Sequence, residues 1–300
     1  MFKNVLVGVD GRPYSGDAVV LASRLTDPDG KLTLAHVHPG ELNRLHAISA
    51  GRLDEERKAS IRLLEQERSA ADVEAELVSV VAAAPGGGLH RQAEDQGADL
   101  IVVGSCSHGA FGRVLLGDDS RAALNGAPCA VAIAARGYAE QSKSIGRVGV
   151  GYNDSPESRA ALTAAKKLAA PTSATVHALE VVSMPTYAYS GLMAPIGESI
   201  DVILAEANAR LRELPGVEGR AAFGLTGEEL AAFGEEVDIL VVGSRSYGPV
   251  RRLVLGSTSD YLERHARCSL LVLPRVAVEA TGYAAAGEGL QTETHTGGAC

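Results

Sequence analysis

Residues 98–105 read Ala98-Asp99-Leu100-Ile101-Val102-Val103-Gly104-Ser105, and the stretch they open closes at Ala127-Pro128-Cys129-Ala130-Val131-Ala132-Ile133. A short β-branched run bounded by Gly and Ser predicts a buried strand and a tight loop. Gly117 then marks a helix start, with the helix at about 118–125 and a second strand at 129–134. The same programme returns from Val237-Asp238-Ile239-Leu240-Val241-Val242-Gly243-Ser244 to Leu271-Val272-Leu273. Gly104 matches Gly243, Gly117 matches Gly256 and Cys129 matches Cys268, each pair 139 residues apart. The chain is therefore one domain written twice, and any function must account for one loop used twice.

Outward from the loops, the order of elements is the same in both copies. Val5–Val9, 32–37, 73–81, 100–103 and 129–134 read as strands, with helices at 14–25, 52–70, after Pro85 and at 118–125 between them. The second copy gives strands at 148–151, 175–182, 218–224, 238–242 and 269–273, with helices at 157–169, 198–214, 227–235 and 257–266. Strands alternating with helices imply parallel sheets with right-handed crossovers. The expected fold class is α/β, as two tandem doubly wound, Rossmann-like domains, each with a five-stranded parallel sheet. Boundaries are expected at 1–136 and 147–275, with a polar linker at 137–146 and a disordered tail, rich in Gly, Ala, Thr and Glu, at 276–300. In such sheets ligands sit beyond the carboxyl ends of the strands where the order reverses. That brings Asp10 beside Gly104, and Asn153 beside Gly243.

Composition narrows the function classes. Of 300 residues, 46% are hydrophobic and 22% charged, so each half can bury a core without disulfides or metals. A net charge of −9 argues against a general nucleic-acid or anionic-membrane surface. There is no signal-peptide pattern and no apolar run long enough to span a bilayer. The four cysteines form no CxxC, and two of them sit at matching positions of different copies. The expected compartment is reducing and cytoplasmic.

The loops carry anion-binding chemistry. Small residues let the backbone approach a phosphate, and the amides of the next helix start can donate to it. The second copy places Ser257, Thr258 and Ser259 at such a start. The alternative reading is that one of these hydroxyls only caps the helix, and Gly243 only lets the loop turn.

In both halves, over roughly 3–135 and 147–274, the sequence resembles a tandem universal stress protein. That family's nucleotide motif is Gly, two residues, Gly, nine residues, then Gly followed by Ser or Thr. The spacing is kept in Gly104-Ser-Cys-Ser107 to Gly117-Asp118 and in Gly243-Ser-Arg-Ser246 to Gly256-Ser257. The openings Asp10-Gly-x-Pro13 and Asn153-Asp-Ser-Pro156-x-Ser158 are also similar to the family's start. The resemblance implies an adenine nucleotide alpha-hydrolase-like fold that binds ATP or another adenine nucleotide. In copy one Asp10 and the backbone near Val37 would meet the adenosine and Gly104 the ribose, with Ser107, Gly117 and positions 118 and 119 at the phosphates. In copy two the matching positions are Asn153, Val181, Gly243, Ser246, Gly256, Ser257 and Thr258. Gly8 and Val103, and Gly151, Val242 and Ser259, flank the two sets.

Both copies depart from the motif. Ser107 and Ser246 replace its second glycine, at a cost of about 1 kcal/mol if that residue needs a positive φ. In copy one Asp118 and Asp119 stand where hydroxyls are expected, and would repel phosphate unless Mg2+ bridges them. Copy two keeps its hydroxyls and has Arg245, Arg251 and Arg252 nearby, but has Asn153 in place of the acid. The second copy is thus expected to be the better ATP site. The resemblance also implies that the fifth strands pair, within the chain or in a homodimer, since an apolar edge invites pairing.

No residue set nominates a nucleophile, a general base or a metal site. His36 and His38 are read as facing opposite sides of strand two, which excludes one shared metal. His108 and Tyr247 are equivalent loop residues that could flank a phosphate, and Cys106 is a lone loop cysteine. The leading expectation is an adenine-nucleotide sensor or regulator in the stress response, with at most slow ATP hydrolysis. A nucleotide-free interaction scaffold of the same fold is the alternative. A slow ATPase or adenylating enzyme ranks third. A dinucleotide-dependent oxidoreductase ranks last, because no GxGxxG follows either first strand.

Overall fold

A computed structural model describes residues 1–12, 14–38, 50–105, 112–115, 118–141, 144–183, 196–244 and 253–275. The first copy runs β1 (Phe2–Gly8), α1 (Ser15–Leu25), β2 (Thr26–His38), α2 (Ala50–Ala70), β3 (Glu76–Val81), α3 (Pro85–Gln96), β4 (Leu100–Gly104), α4 (Asp118–Leu124) and β5 (Ala130–Ala134). The second repeats it as β6 (Arg147–Gly151), α5 (Pro156–Ala169), β7 (Thr175–Val182), α6 (Ile196–Arg212), β8 (Glu218–Phe223), α7 (Thr226–Phe233), β9 (Ile239–Gly243), α8 (Ser257–His265) and β10 (Ser269–Leu273).

The ten strands lie in one sheet, in the order β3-β2-β1-β4-β5-β10-β9-β6-β7-β8. Within each half every neighbour is parallel, and the order 3-2-1-4-5 is doubly wound. The halves meet where β5 pairs antiparallel with β10. Of the two pairings expected for the fifth strands, the one within the chain is formed. The register sets Ala132 against Leu271, which are equivalent residues, with Ile133–Leu270 and Val131–Val272 on either side. A pseudo-twofold axis therefore passes between Ala132 and Leu271. The same symmetry appears in two backbone bonds of 2.9 Å, from Val114 N to Ala266 O and from Leu253 N to Ala127 O.

Central strands covered on both faces must be apolar throughout. Val5, Leu6, Val7, Leu100, Ile101 and Val102 are all fully buried, as are Ile239, Leu240 and Val241. Alternate residues point into two layers: Val5 and Val7 join the α1/α2 side, Leu6 and Ile101 the α3/α4 side. Each such Leu or Ile contributes on the order of 1.5–3 kcal/mol of burial.

Two expectations change. β2 starts at Thr26, six residues before the strand read at 32. Asp27-Pro28-Asp29-Gly30 does end α1, but inside an irregularity where Phe2 pairs with Thr26 and Asn4 already with Lys31. His36 and His38 do not face opposite sides. Residues i and i+2 of a strand share a face, and their rings stack at 6.0 Å. Both are held by hydroxyls, His36 Nδ1 with Ser60 Oγ at 3.0 Å and His38 Nε2 with Ser79 Oγ at 2.9 Å. Among the described residues, no group of three His, Cys, Asp or Glu is placed to hold a metal. The described part of the linker expected at 137–146 packs on α1. Asp17, 2% exposed, accepts the amides of Gly137 and Ala139, both at 2.7 Å. Tyr138 is buried under the Arg24 guanidinium, 4.8 Å above its ring. Among the described residues no helix is long and apolar enough to cross a membrane. The stretch expected to be a disordered tail, 276–300, lies outside the described residues.

Candidate functional site

The carboxyl ends of β6, β7 and β9 open into a cavity of about 530 Å³, closed by the first turns of α5, α7 and α8. Nine of the ten positions expected in copy two line it: Gly151, Asn153, Val181, Val242, Gly243, Gly256, Ser257, Thr258 and Ser259. The tenth, Ser246, lies outside the described residues, as do Arg245, Tyr247, Arg251 and Arg252.

Each wall follows from local sequence. After β6 the chain turns through Asp154, which holds a left-handed φ of 60°. Its carboxylate accepts the Tyr152 hydroxyl at 2.8 Å and Arg159 Nε at 2.9 Å, so the turn is braced from both sides. Ser155 caps α5, accepting the Ser158 amide at 3.2 Å, and Pro156 occupies the first turn. The Asn153 side chain accepts the Ser155 amide at 3.3 Å. The β6–α5 corner is thus fixed by its own residues.

Gly243 ends β9 where α5 begins. A Cβ there would sit 2.7 Å from Glu157 Cβ and 3.2 Å from the Glu157 carbonyl. Its φ is not in the left-handed region. Close packing, and not backbone freedom, requires glycine at this position. At the other wall, Ser259 Oγ accepts the Gly256 amide at 2.9 Å and closes the first turn of α8. One hydroxyl of three is therefore a cap. Ser257 and Thr258 make no side-chain hydrogen bond among the described residues, and both line the cavity at the positive end of the α8 dipole.

The cavity also takes in residues that carried no site assignment: Tyr152, Ser155, Glu157, Ser158, Leu179, Thr226, Leu230 and Ser244. Ser155 and Ser158 belong to the quoted opening of copy two, so a signal for them existed. Thr226 and Leu230 come from α7, a short helix with no motif. Among the described lining residues the only charged one is Glu157, an acid.

Copy one is built differently at the same places. Gly8, Val37, Val103 and Gly104 stand at the carboxyl ends of β1, β2 and β4, with Asp10 in the turn beyond β1. Ser107 and Gly117 lie outside the described residues, as do Cys106 and His108. So do the side chains of Asp118 and Asp119, whose backbone opens α4. Asp10 is exposed and accepts the Arg12 amide at 3.0 Å, a turn-forming role. Tyr14 takes the place of Glu157, with a left-handed φ of 75°. Its ring carries the Arg136 guanidinium at 4.5 Å, and its hydroxyl accepts Arg136 Nη2 at 2.9 Å. α1 consequently starts at Ser15, two residues later than α5 does in its own frame. Ser105 closes the first-copy loop on itself, accepting the Leu115 amide at 2.9 Å.

Comparison with known proteins gives one family. The model of the universal stress protein family matches residues 1–135 and again 144–274. Universal stress proteins of Mycobacterium tuberculosis and Mycobacterium bovis are each 28% identical to this chain over 206 residues, covering 62% of it and 68% of the relative. Among solved structures, a universal stress protein of Archaeoglobus fulgidus is similar in fold, with a TM-score of 0.63 at 21% identity. That match covers 91% of this chain and 98% of the other.

Proposed function

We propose that this chain, which belongs to the universal stress protein family through both of its halves, binds an adenine nucleotide in its C-terminal cavity and acts as a sensor or regulator. ATP is the leading ligand and the cytoplasm the proposed compartment. The observation that carries the reading is the convergence of the β6–α5 turn, the end of β9 and the start of α8 on one cavity of about 530 Å³. Its chemistry suits a nucleotide asymmetrically. Leu179, Val181, Leu230 and Val242 offer an apolar wall for a base. The α8 amides with Ser257 and Thr258 offer donors for phosphate. Catalysis is not part of the proposal; among the described lining residues no group is placed as a nucleophile beside a base.

The N-terminal half is proposed as the weaker or Mg2+-dependent site, on account of Asp118 and Asp119. The test is calorimetric titration of ATP, with and without Mg2+, into wild type, Ser257→Asp and Gly117→Asp, together with identification of any small molecule released from the purified protein. Ser257→Asp is expected to remove the tighter binding and Gly117→Asp to leave it. Equal loss from both, or loss only from Gly117→Asp, refutes the ranking. A second reading, the nucleotide-free scaffold, is favoured by one observation, the acidic Glu157 on the wall. It predicts no released nucleotide and no heat with ATP under either condition.

A further inference from the structure

The start of α8 serves two purposes at once. Ser257, Thr258 and Ser259 line the cavity, and the next residue, Asp260, leaves the cavity and meets Arg121 on α4 of the other half. One turn on, Glu263 is fully buried, with Arg121 Nη2 at 2.9 Å and Arg264 Nε at 3.5 Å. Arg264 Nη2 also reaches Asp260 at 3.3 Å. Two carboxylates are thereby matched by two guanidiniums, one from each half of the chain.

The consequence concerns the cavity. An anion seated on the first turn of α8 lies within a helical turn of Asp260, and within two of Glu263. Left uncompensated, the buried Glu263 carboxylate opposes it through protein of low polarity, where charges act more strongly than in water, and the part-exposed Asp260 adds a weaker, solvent-screened repulsion. Arg264 alone cannot neutralise both. Arg121 supplies the missing charge from outside the half that holds the cavity. Burial raises the Glu263 carboxyl above its ordinary range and Arg121 pulls it back down, so this guanidinium already acts on the local charge balance.

We propose that Arg121 is a positioning residue for the phosphate end of the C-terminal site, which is complete only when the N-terminal half is docked on it. The inference rests on the nucleotide reading above. Its role is specific to charge: Arg121 matters for a ligand's phosphates and not for its base or sugar.

The experiment compares ATP with adenosine, which lacks phosphate, by calorimetry on the full-length chain. Wild type is expected to bind both. Arg121→Gln is expected to weaken ATP about tenfold while leaving adenosine unchanged within twofold, and Arg121→Lys to recover most of the loss. Unchanged ATP affinity in Arg121→Gln overturns the inference. Parallel loss of ATP and adenosine also overturns it, because that marks a purely structural role. Should Arg121→Gln fail to fold, the exchange variant Arg121→Asp/Asp260→Arg keeps the cluster's net charge and is expected to hold ATP within threefold of wild type. Selective loss of ATP in that folded variant refutes the proposal. Wild type binding neither ligand sinks the nucleotide reading itself, and this inference with it.

Discussion

Gly104 and Gly243 hold the same place in the two copies of the loop, yet the structure predicts opposite responses to a methyl group. At Gly243 the added Cβ meets Glu157 Cβ at 2.7 Å and the Glu157 backbone at 3.2 Å, inside the separation of about 3.5–4.0 Å at which carbon atoms rest. The backbone atoms cannot swing aside, because Ser155 and Pro156 pin the first turn of α5. Either α5 or the end of β9 must shift. Overpacking of this kind costs about 1–3 kcal/mol. At about 2–4 °C per kcal/mol for a chain of this class, a 2 kcal/mol loss lowers the melting temperature by about 4–8 °C. At Gly104 the nearest atom among the described residues is the Tyr14 carbonyl oxygen at 3.5 Å, an ordinary contact. Gly104→Ala is therefore expected to stay within about 0.5 kcal/mol of wild type. Differential scanning calorimetry of the two variants side by side is the assay. If Gly243→Ala melts with wild type, the packing argument is wrong and the glycine serves ligand approach alone. Equal destabilisation of the two variants refutes the distinction between the copies.

Three further outcomes are expected. Glu263 is held above its usual value of 4.5 chiefly by burial, so the folded chain binds that proton more tightly than the unfolded one. Its contribution to stability is full below pH 4.5 and is lost as pH rises through the folded value. Urea unfolding across that window should show a shallower decline for Glu263→Gln than for wild type, and parallel profiles contradict this. The Cys129 and Cys268 thiols are pushed up to about 12 by burial. In a Cys106→Ser/Cys300→Ser background, an aromatic disulfide reagent at neutral pH should react with neither until the protein unfolds. Asp17→Ala strands the Gly137 and Ala139 amides and should cost about 1–3 kcal/mol by denaturant unfolding; a neutral result means that the 137–141 turn holds without it.

Legibility from sequence tracked locality. β4, β9 and the proline-led starts of α3 and α5 follow from runs and breakers a few residues long, and the structure has them within a residue or two. The cavity of copy two was legible because its spacing is a repeat, and a spacing seen twice in one chain leaves few alternatives. Sequence and structure part where a longer-range partner intervenes or where strand geometry sets the face. His36 and His38 share one face because residues two apart along a strand do, and their rings stack there. β2 began early because Phe2, 24 residues upstream of Thr26, supplied a partner for it. The packing of the 137–146 linker is likewise not local, since the Gly137 and Ala139 amides are claimed by Asp17 on α1.

The least legible feature is the one that joins the halves. Arg121 and Asp260 are equivalent residues, 139 apart, that meet across the pseudo-twofold relation between β5 and β10. Only near such an axis does a residue face its own counterpart, so an internal alignment shows a mismatch of charge where the structure shows a pair. The mismatch has a physical reason. Two N-terminal halves docked through β5 would oppose Arg121 to Arg121. Two C-terminal halves docked through β10 would oppose Asp260 to Asp260 and set each buried Glu263 against the other copy's Asp260 in place of Arg121. Arg121 and Asp260 stay partly exposed, so like charges there repel only modestly, by about 0.2–1 kcal/mol, with the buried Glu263 adding to the penalty. The mixed pairing alone is neutral, so the divergence of this one position selects the N-terminal half as the partner of the C-terminal half. A double-mutant cycle over Arg121→Asp and Asp260→Arg reads that selection directly. Each reversal alone should lower the unfolding free energy, and the double reversal should return most of it, with a coupling of about 0.5–3 kcal/mol. Additive losses would mean that β5–β10 packing, and not charge, chooses the partner.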